Sequence, residues 1–388
     1  HKINTTPPST ECARRQVGGT IMGVVAAEFH VARGCGCNAH NAITQRHGAR
    51  PPPQTREFRH DYTEFFRLVR SGYYQYLPTL LDTWITRYPL HRRIEIVKSQ
   101  ARDPLLPECV DGFVKREGNL KPLTKARLIQ TYRNLCTLAH YGPQFSALQK
   151  ATFEHRRYEV APGIRITFAS GMNAPALSSW MDEVLADLGA QHDGEGVFFY
   201  ERDGKNWDSC MNEYHFQQIE SLYPAEMLEF VREGYCVKGV VRTDGRPVMR
   251  YMMNFTVKSG HNNTTLANSV INMMITVEAM LANGVVGDVL VAGDDLLVIS
   301  PNDFDSNALA QVESELGILP EYRKFHRVRD VSFISGVWLV GKTNVFFIPK
   351  PGRLLAKLYW TTKVPTADNH DAYMHSISVG MGMLVGQV

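Results

Sequence analysis

Two apolar runs, Val289-Leu290-Val291-Ala292 and Leu296-Leu297-Val298-Ile299, stand on either side of Gly293-Asp294-Asp295. Runs of this length, rich in β-branched and leucine residues and bounded by a turn signal, predict a β-hairpin with mostly buried strands. The tip of that hairpin is electrostatically awkward. Two adjacent carboxylates repel each other, and they resist desolvation beside strands that belong in a core. Gly-Asp and Asp-Asp are also ordinary residues of an exposed turn. A divalent cation would neutralise both charges, and magnesium favours one or two carboxylates together with phosphate oxygens.

The chain has 388 residues, enough for one large multi-lobed enzyme or two to three domains. With 44% hydrophobic and 21% charged residues it reads as globular and not disordered. A net charge of only +3 means that any affinity for nucleic acid must come from local basic patches. No apolar run approaches the roughly 18 residues of a membrane span, since the stretch from Ile21 to Ala32 is broken by Glu28 and His30. Seven scattered cysteines fit reduced thiols better than a disulfide framework. Cys35 and Cys37, with His30 and His40 nearby, form a partial zinc pattern that is weak without a second pair. The chain opens on His1 with no signal-peptide pattern and reads as a segment of something longer.

Residues 1 to about 60 are rich in Gly, Pro, Arg and His and read as loop or extended surface. From Asp61 to Gln100 the apolar spacing predicts helix. A basic stretch follows, with Lys115, Arg116, Lys121, Lys125, Arg127 and Arg133. Alternation over Lys125 to Gln130 predicts a strand that aims Lys125 and Arg127 at one face. Positioned cations of this kind suit a triphosphate, although such a run is also a common solvated surface. Residues 134 to 195 read as mainly helical. Gly196 to Asp203 is a buried strand ending in an acid, and Asp208 follows five residues later. A strand-end turn and a helix cap are the plainer roles for these two aspartates.

Glu213 to Gly234 predicts one helix, and strands Val237 to Arg242 and Pro247 to Val257 flank the turn signal Thr243-Asp244-Gly245-Arg246. Lys258-Ser259-Gly260 then leads into a helix from Thr264 to Ala282, with Thr264 and Asn268 on one face. Small polar residues at a helix mouth suit sugar hydroxyls, or simply a cap. Beyond the opening hairpin, Asp303 to Leu316 predicts a helix, Tyr322 to Phe325 a strand and Val331 to Leu339 a tight hairpin. Lys350, Arg353 and Lys357 follow as cations suited to a nucleic-acid backbone.

Taken in order, a basic strand, a strand ending in Asp203 with Asp208 beyond, a Ser259-Gly260 loop running into the Thr264–Asn268 helix, and the Gly293-Asp294-Asp295 hairpin resemble the RNA-dependent RNA polymerases of positive-strand RNA viruses. The resemblance covers roughly residues 110 to 360, and its basic stretch is similar to that of tombusvirus-like and nodavirus-like members. With Asp203 preceding Gly293-Asp294-Asp295, the order argues against a circularly permuted polymerase. The resemblance implies an α+β right-hand polymerase with fingers, palm and thumb, its antiparallel palm sheet flanked by helices. It implies fingers with an N-terminal extension over 1–195, including the nucleotide-binding strand 113–130. Palm with a finger insertion would follow over 196–348, and partial thumb over 349–388.

For the site, the resemblance implies that Asp203 and Asp294, with Asp295 in support, bind Mg²⁺ or Mn²⁺ and come within shared-metal reach. Asp208, Ser259, Thr264 and Asn268 would read the ribose 2′-hydroxyl, and Gly260 would let the loop approach the template. Lys115, Lys125 and Arg127 would cradle the triphosphate. Lys324 is the candidate proton donor to pyrophosphate, with Arg323 as a rival. Phe333-Ile334-Ser335 resembles the hairpin that grips the primer. Partners would be an RNA template and nascent strand, ribonucleoside triphosphates and other viral replicase subunits. No membrane segment is expected in this chain. Its place would be the host-cell cytoplasm, at membrane-associated replication complexes reached through regions outside the chain. A reverse transcriptase also carries Asp-Asp on a hairpin, but Gly293, Asp208 and Asn268 argue against one. A non-catalytic RNA-binding replication factor has no reason to keep Asp203 and Asp294 together.

Overall fold

The computed structural model describes residues 2–5, 15–17, 19–20, 30–47, 52–100, 109–117, 126–154, 157–243, 246–357, 360–361 and 369–385. Short strands β1 (Lys2–Thr5), β2 (Arg15–Val17), β3 (Gly19–Thr20) and β4 (His30–Ala32) come first, then α1 (Gly36–Ala42), which runs into a π-helical turn, Ile43–His47. Helices α2 (Thr63–Thr83) and α3 (Leu90–Gln100) precede β5 (Cys109–Val114), β6 (Leu128–Tyr132) and α4 (Leu135–Phe153). Next come β7 (Tyr158–Ala161), β8 (Ile164–Phe168), α5 (Ala174–Asp187), β9 (Phe198–Gly204), the single turn α6 (Trp207–Cys210), α7 (Glu213–Gln218) and α8 (Ala225–Glu233). Strands β10 (Cys236–Thr243) and β11 (Arg246–Asn254) lead to α9 (Thr264–Ala282) and the hairpin β12 (Gly287–Ala292) and β13 (Asp295–Ser300). After α10 (Ser306–Glu315) and β14 (Pro320–Phe325) come β15 (Ser332–Phe333), β16 (Gly336–Val340), β17 (Val345–Pro349), α11 (Pro351–Lys357), β18 (Trp360–Thr361) and α12 (His370–Val385).

A six-stranded sheet in the order β14-β9-β13-β12-β8-β7 carries the hairpin at its centre. Its apolar runs are continuous because both faces are covered. Successive residues of β12 and β13 enter two different clusters. Val289, Val291, Leu296 and Val298 pack with α9, α4 and α2, whereas Leu290, Leu297 and Ile299 pack with α5 and the β15–β17 sheet. Burying one such side chain contributes about 1.5–3 kcal/mol, so the hairpin is held from both sides. The expected antiparallel sheet is in fact mixed, because β12 pairs with β8 in parallel. A parallel pair needs a long crossover, and everything from α5 to α9 lies between those two strands. Strands β7 and β8 therefore belong to this sheet.

A second sheet, β1-β11-β10-β5-β6, presents the basic stretch on β5 and β6. Residues 134–195 are mainly helical as expected, in α4 and α5, although the β7–β8 hairpin interrupts them; its signal is Pro162-Gly163, with Gly163 at φ +73°. One expectation fails locally: Glu213 to Gly234 is not one helix, since Pro224 disfavours helical backbone at Tyr223 and separates α8 from what precedes it. Helix α9, at 19 residues, is long and apolar enough to cross a membrane, although no apolar run of that kind was expected in the chain. It is 83% buried within the protein, which is the environment of a core helix.

Candidate active site

The β12–β13 turn is tighter than the tripeptide suggests. Ala292 pairs directly with Asp295, so only Gly293 and Asp294 form the turn and Asp295 is already strand. Gly293 takes φ +65°, the left-handed backbone that such turns require at the first central position. Strand alternation then places Asp295 on the face of Leu297 and Ile299.

On the neighbouring strand Arg202 pairs with Leu296 and Glu321 with Asp203. One register step further sets Asp203 beside Asp295, and both line one cleft of about 230 Å³. Glu201 and Glu321 add acid to its walls, while Arg323, Lys350 and Arg353 add three cations. The β15–β16 tip, Phe333-Ile334-Ser335, closes one side. Ile334 and Ser335 both have positive φ, and the Arg353 guanidinium donates to Ser335 Oγ at 3.0 Å. Asp294 stands exposed at the turn, outside the lining of this cleft.

The Asp295 carboxyl is pushed up to about 6 by burial and by the negative charges of Asp294 and Asp203. It keeps contact with solvent at the cleft mouth while protein packs closely around it. A carboxyl pushed up by two neighbouring carboxylates favours a bound cation. Among the described residues no group of three or more His, Cys, Asp or Glu side chains forms a ready-made metal cage. Magnesium does not need such a cage, because substrate phosphates and water complete its shell. The donor set Asp203, Asp294 and Asp295 fits that ion.

A buried clamp sets the tip. Arg202 Nη1 donates to the Asp294 carbonyl at 3.4 Å, Nη2 donates to Asn272 Oδ1, and Nε lies 3.4 Å from Glu313 Oε2. Asn272 Nδ2 donates to the Gly293 carbonyl at 2.9 Å, and the Gly293 amide donates to Ser269 Oγ at 2.9 Å. The turn backbone is thus satisfied by α9 and β9 rather than by water.

The second aspartate is turned away from the strand. Asn206, at φ +53°, redirects the chain into α6, leaving Asp208 only 6% exposed. Ser259 Oγ donates to Asp208 Oδ2 at 3.1 Å, which brings together two residues predicted to act together. Thr264 Oγ1 donates to the Lys258 carbonyl at 2.7 Å and holds the loop on α9. Asn268 is buried, and its Oδ1 accepts no hydrogen bond among the described residues. Gly260 has an internal reason. At φ +103°, a Cβ there would meet Ile129 Cγ2 at 2.7 Å and the Gln130 carbonyl at 3.0 Å, so its close approach is to β6. Beneath the loop, Lys258 donates to the carbonyls of Gly234 and Tyr235 at 2.6 and 3.2 Å, and burial pushes its ammonium down to about 7.

Lys115 and Arg127 come together at the ends of β5 and β6, sharing Glu117 at 2.9 and 3.5 Å. Lys125 lies outside the described residues. Lys324 binds Asp303 at 2.5 Å and lies over the Phe198 ring, three register positions along from the Glu321–Asp203 pair. Alternation along β14 puts Arg323 and Glu321 on the cleft face instead.

Sequence reasoning missed Arg202, Ser269, Asn272, Glu313 and Lys258. A signal existed for α9, whose Ser269, Asn272 and Thr276 form a polar stripe at i, i+3 and i+7 in an otherwise apolar helix. A family model described as RNA dependent RNA polymerase matches residues 119–377, more than half of the chain. No curated protein matches it.

Proposed function

The chain belongs to the RNA-dependent RNA polymerases of positive-strand RNA viruses, nucleotidyltransferases acting on RNA and nucleotide substrates, and from that premise we propose two-metal nucleotidyl transfer at the cleft beneath Gly293-Asp294-Asp295. The observation that carries this reading is the meeting of Asp203 and Asp295 on one cleft, with the charge of Asp294 felt there too.

Asp203, Asp294 and Asp295 would hold Mg²⁺ or Mn²⁺, which when bound lowers the pKa of the primer 3′-hydroxyl and neutralises the leaving pyrophosphate. The Arg202 clamp fixes the turn backbone, so the carboxylates need no rearrangement when substrate arrives. Asp208, Ser259 and Asn268 offer hydrogen bonds to the ribose 2′-hydroxyl, and the Asn268 oxygen is a waiting acceptor. Lys115 and Arg127, with Lys125, would draw in the triphosphate. Arg323, on the cleft wall, would take the pyrophosphate-side role in place of Lys324, whose ammonium is engaged with Asp303. The Phe333-Ile334-Ser335 tip, braced by Arg353, would hold the primer end.

In this reading the six-stranded sheet is palm, β5, β6, β10 and β11 are fingers, and residues from 349 begin the thumb. The basic stretch favours a tombusvirus-like or nodavirus-like relationship. Work at membrane-associated replication complexes in the host cytoplasm, with other replicase subunits, is the setting this reading proposes. The test is template-directed extension of an RNA primer with Mg²⁺ or Mn²⁺, beside Asp203→Ala and Asp294→Ala. Incorporation of ribonucleotides that both substitutions abolish supports the reading. Extension that survives them, or a preference for deoxyribonucleotides, overturns it.

A further inference from the structure

The segment from α1 through its π-helical turn matches none of the polymerase motifs, yet it touches both halves of the nucleotide site. Ala39, Ala42 and Ile43 are fully buried against Val110, Val114, Ala126 and Leu128, which seats the segment on the β5–β6 face. From that seat Asn41 Oδ1 accepts the Ala126 amide at 3.1 Å, one residue before Arg127. The π-helical turn Ile43–His47 then carries His47 inward, to 1% exposure. Turns of this kind are rare and concentrate at functional sites. His47 Nδ1 lies 3.9 Å from Asp208 Oδ2, the same oxygen that accepts from Ser259 Oγ.

We propose that His47 is a positioning residue for Asp208 and thereby sets how strongly the enzyme discriminates ribose from deoxyribose. The inference rests on the polymerase reading above. A carboxylate reads a hydroxyl only while its lone pairs are correctly aimed, and a site built to hydrogen-bond a hydroxyl discriminates strongly against the analogue lacking it. Ser259 occupies one direction at Oδ2. The imidazole nitrogen facing the same oxygen limits rotation of the carboxylate plane through its polar edge, which a hydrocarbon ring would not do. A site held by supporting side chains loses function when that support is loosened by about 1 Å. His47 supplies the support from a different part of the chain, which Asn41 ties to the strand carrying Arg127.

The experiment measures kcat/KM for a ribonucleoside triphosphate and for its 2′-deoxy analogue on one primed RNA template, for the wild type, His47→Ala and His47→Gln. His47→Ala is expected to lower the ribose-to-deoxyribose ratio about tenfold, mainly through a higher KM for the ribonucleotide. His47→Gln, which fills the space and keeps an N–H donor, is expected to restore most of the ratio. Equal losses on both substrates, with the ratio unchanged, would leave His47 as packing only and overturn the proposal. Should His47→Ala fail to fold, His47→Phe keeps the ring volume without its nitrogens, and an unchanged ratio there overturns the proposal equally. A wild-type chain that extends no primer removes the polymerase reading itself, and the role of Asp208 with it.

Discussion

The guanidinium of Arg202 and the carboxylate of Glu313 meet 3.4 Å apart with no exposed surface on either side chain. This pair joins β9 to α10, and through the Asp294 carbonyl it reaches the turn that carries Asp294 and leads into Asp295. Burial holds the Glu313 carboxyl above its ordinary range, against the pull of Arg202 and of the Tyr322 hydroxyl.

Breaking one side of a buried pair strands the other charge, at a cost of about 3–5 kcal/mol. Glu313→Gln is therefore expected to lower unfolding free energy by about that amount in urea titrations. The double change Arg202→Met with Glu313→Leu removes both charges and should recover much of the stability. It should not recover primer extension, because nothing then holds the Asp294 carbonyl. Extension restored together with stability would show that the clamp is structural only.

Metal binding should register as stability. A ligand bound only by the folded state at 100 times its dissociation constant adds about 2.7 kcal/mol. Mg²⁺ or Mn²⁺ should raise the melting temperature of the wild type, and Asp203→Asn and Asp294→Asn should each lose most of that rise. Without metal, both variants should melt no lower than the wild type, because either change relieves the repulsion that pushes Asp295 up. A wild-type melting temperature indifferent to both ions would remove the three aspartates as a metal site.

The hairpin was legible because its apolar runs are long enough to exclude anything but a doubly covered strand pair, and α9 runs over about the span expected of it. Asp208 and Ser259 were likewise brought together as expected. That Asp295 rather than Asp294 lines the cleft was not legible, because it depends on a two-residue turn that puts Asp295 on the cleft face. Lys324 and Arg323 are equivalent as sequence; only the pairing of Glu321 with Asp203 decides which faces the cleft. Arg202 and Glu313 are 111 residues apart, and no local pattern announces a buried ion pair between them.

That register makes a direct comparison. Arg323→Ala should reduce extension about tenfold, the scale of losing one charge-assisted contact of about 1.4 kcal/mol in the transition state. Lys324→Ala should leave extension within about twofold of wild type, since its ammonium is engaged with Asp303. Single-nucleotide incorporation rates on one template check both. The reverse ranking would mean that β14 shifts register when substrate binds.

Acid should loosen the molecule through His215. Burial pushes this imidazole down from 6.5 to about 4, although its Nε2 meets the Leu316 carbonyl at 2.8 Å. With Nε2–H donating there, neutral Nδ1 accepts the Asn212 amide and closes the N-terminal cap of α7. Protonation removes that acceptor and places a charge in the core. The unfolded chain takes up its proton near 6.5 and the folded chain only near 4, so stability from neutral His215 is full above 6.5 and is lost as pH falls through that window. The total is about 3 kcal/mol, from about 1.4 kcal/mol per pH unit. His215→Gln, which cannot titrate, should flatten this part of the pH profile in urea denaturation between pH 4 and 7. An unchanged slope in that variant would mean that another buried group carries the acid sensitivity.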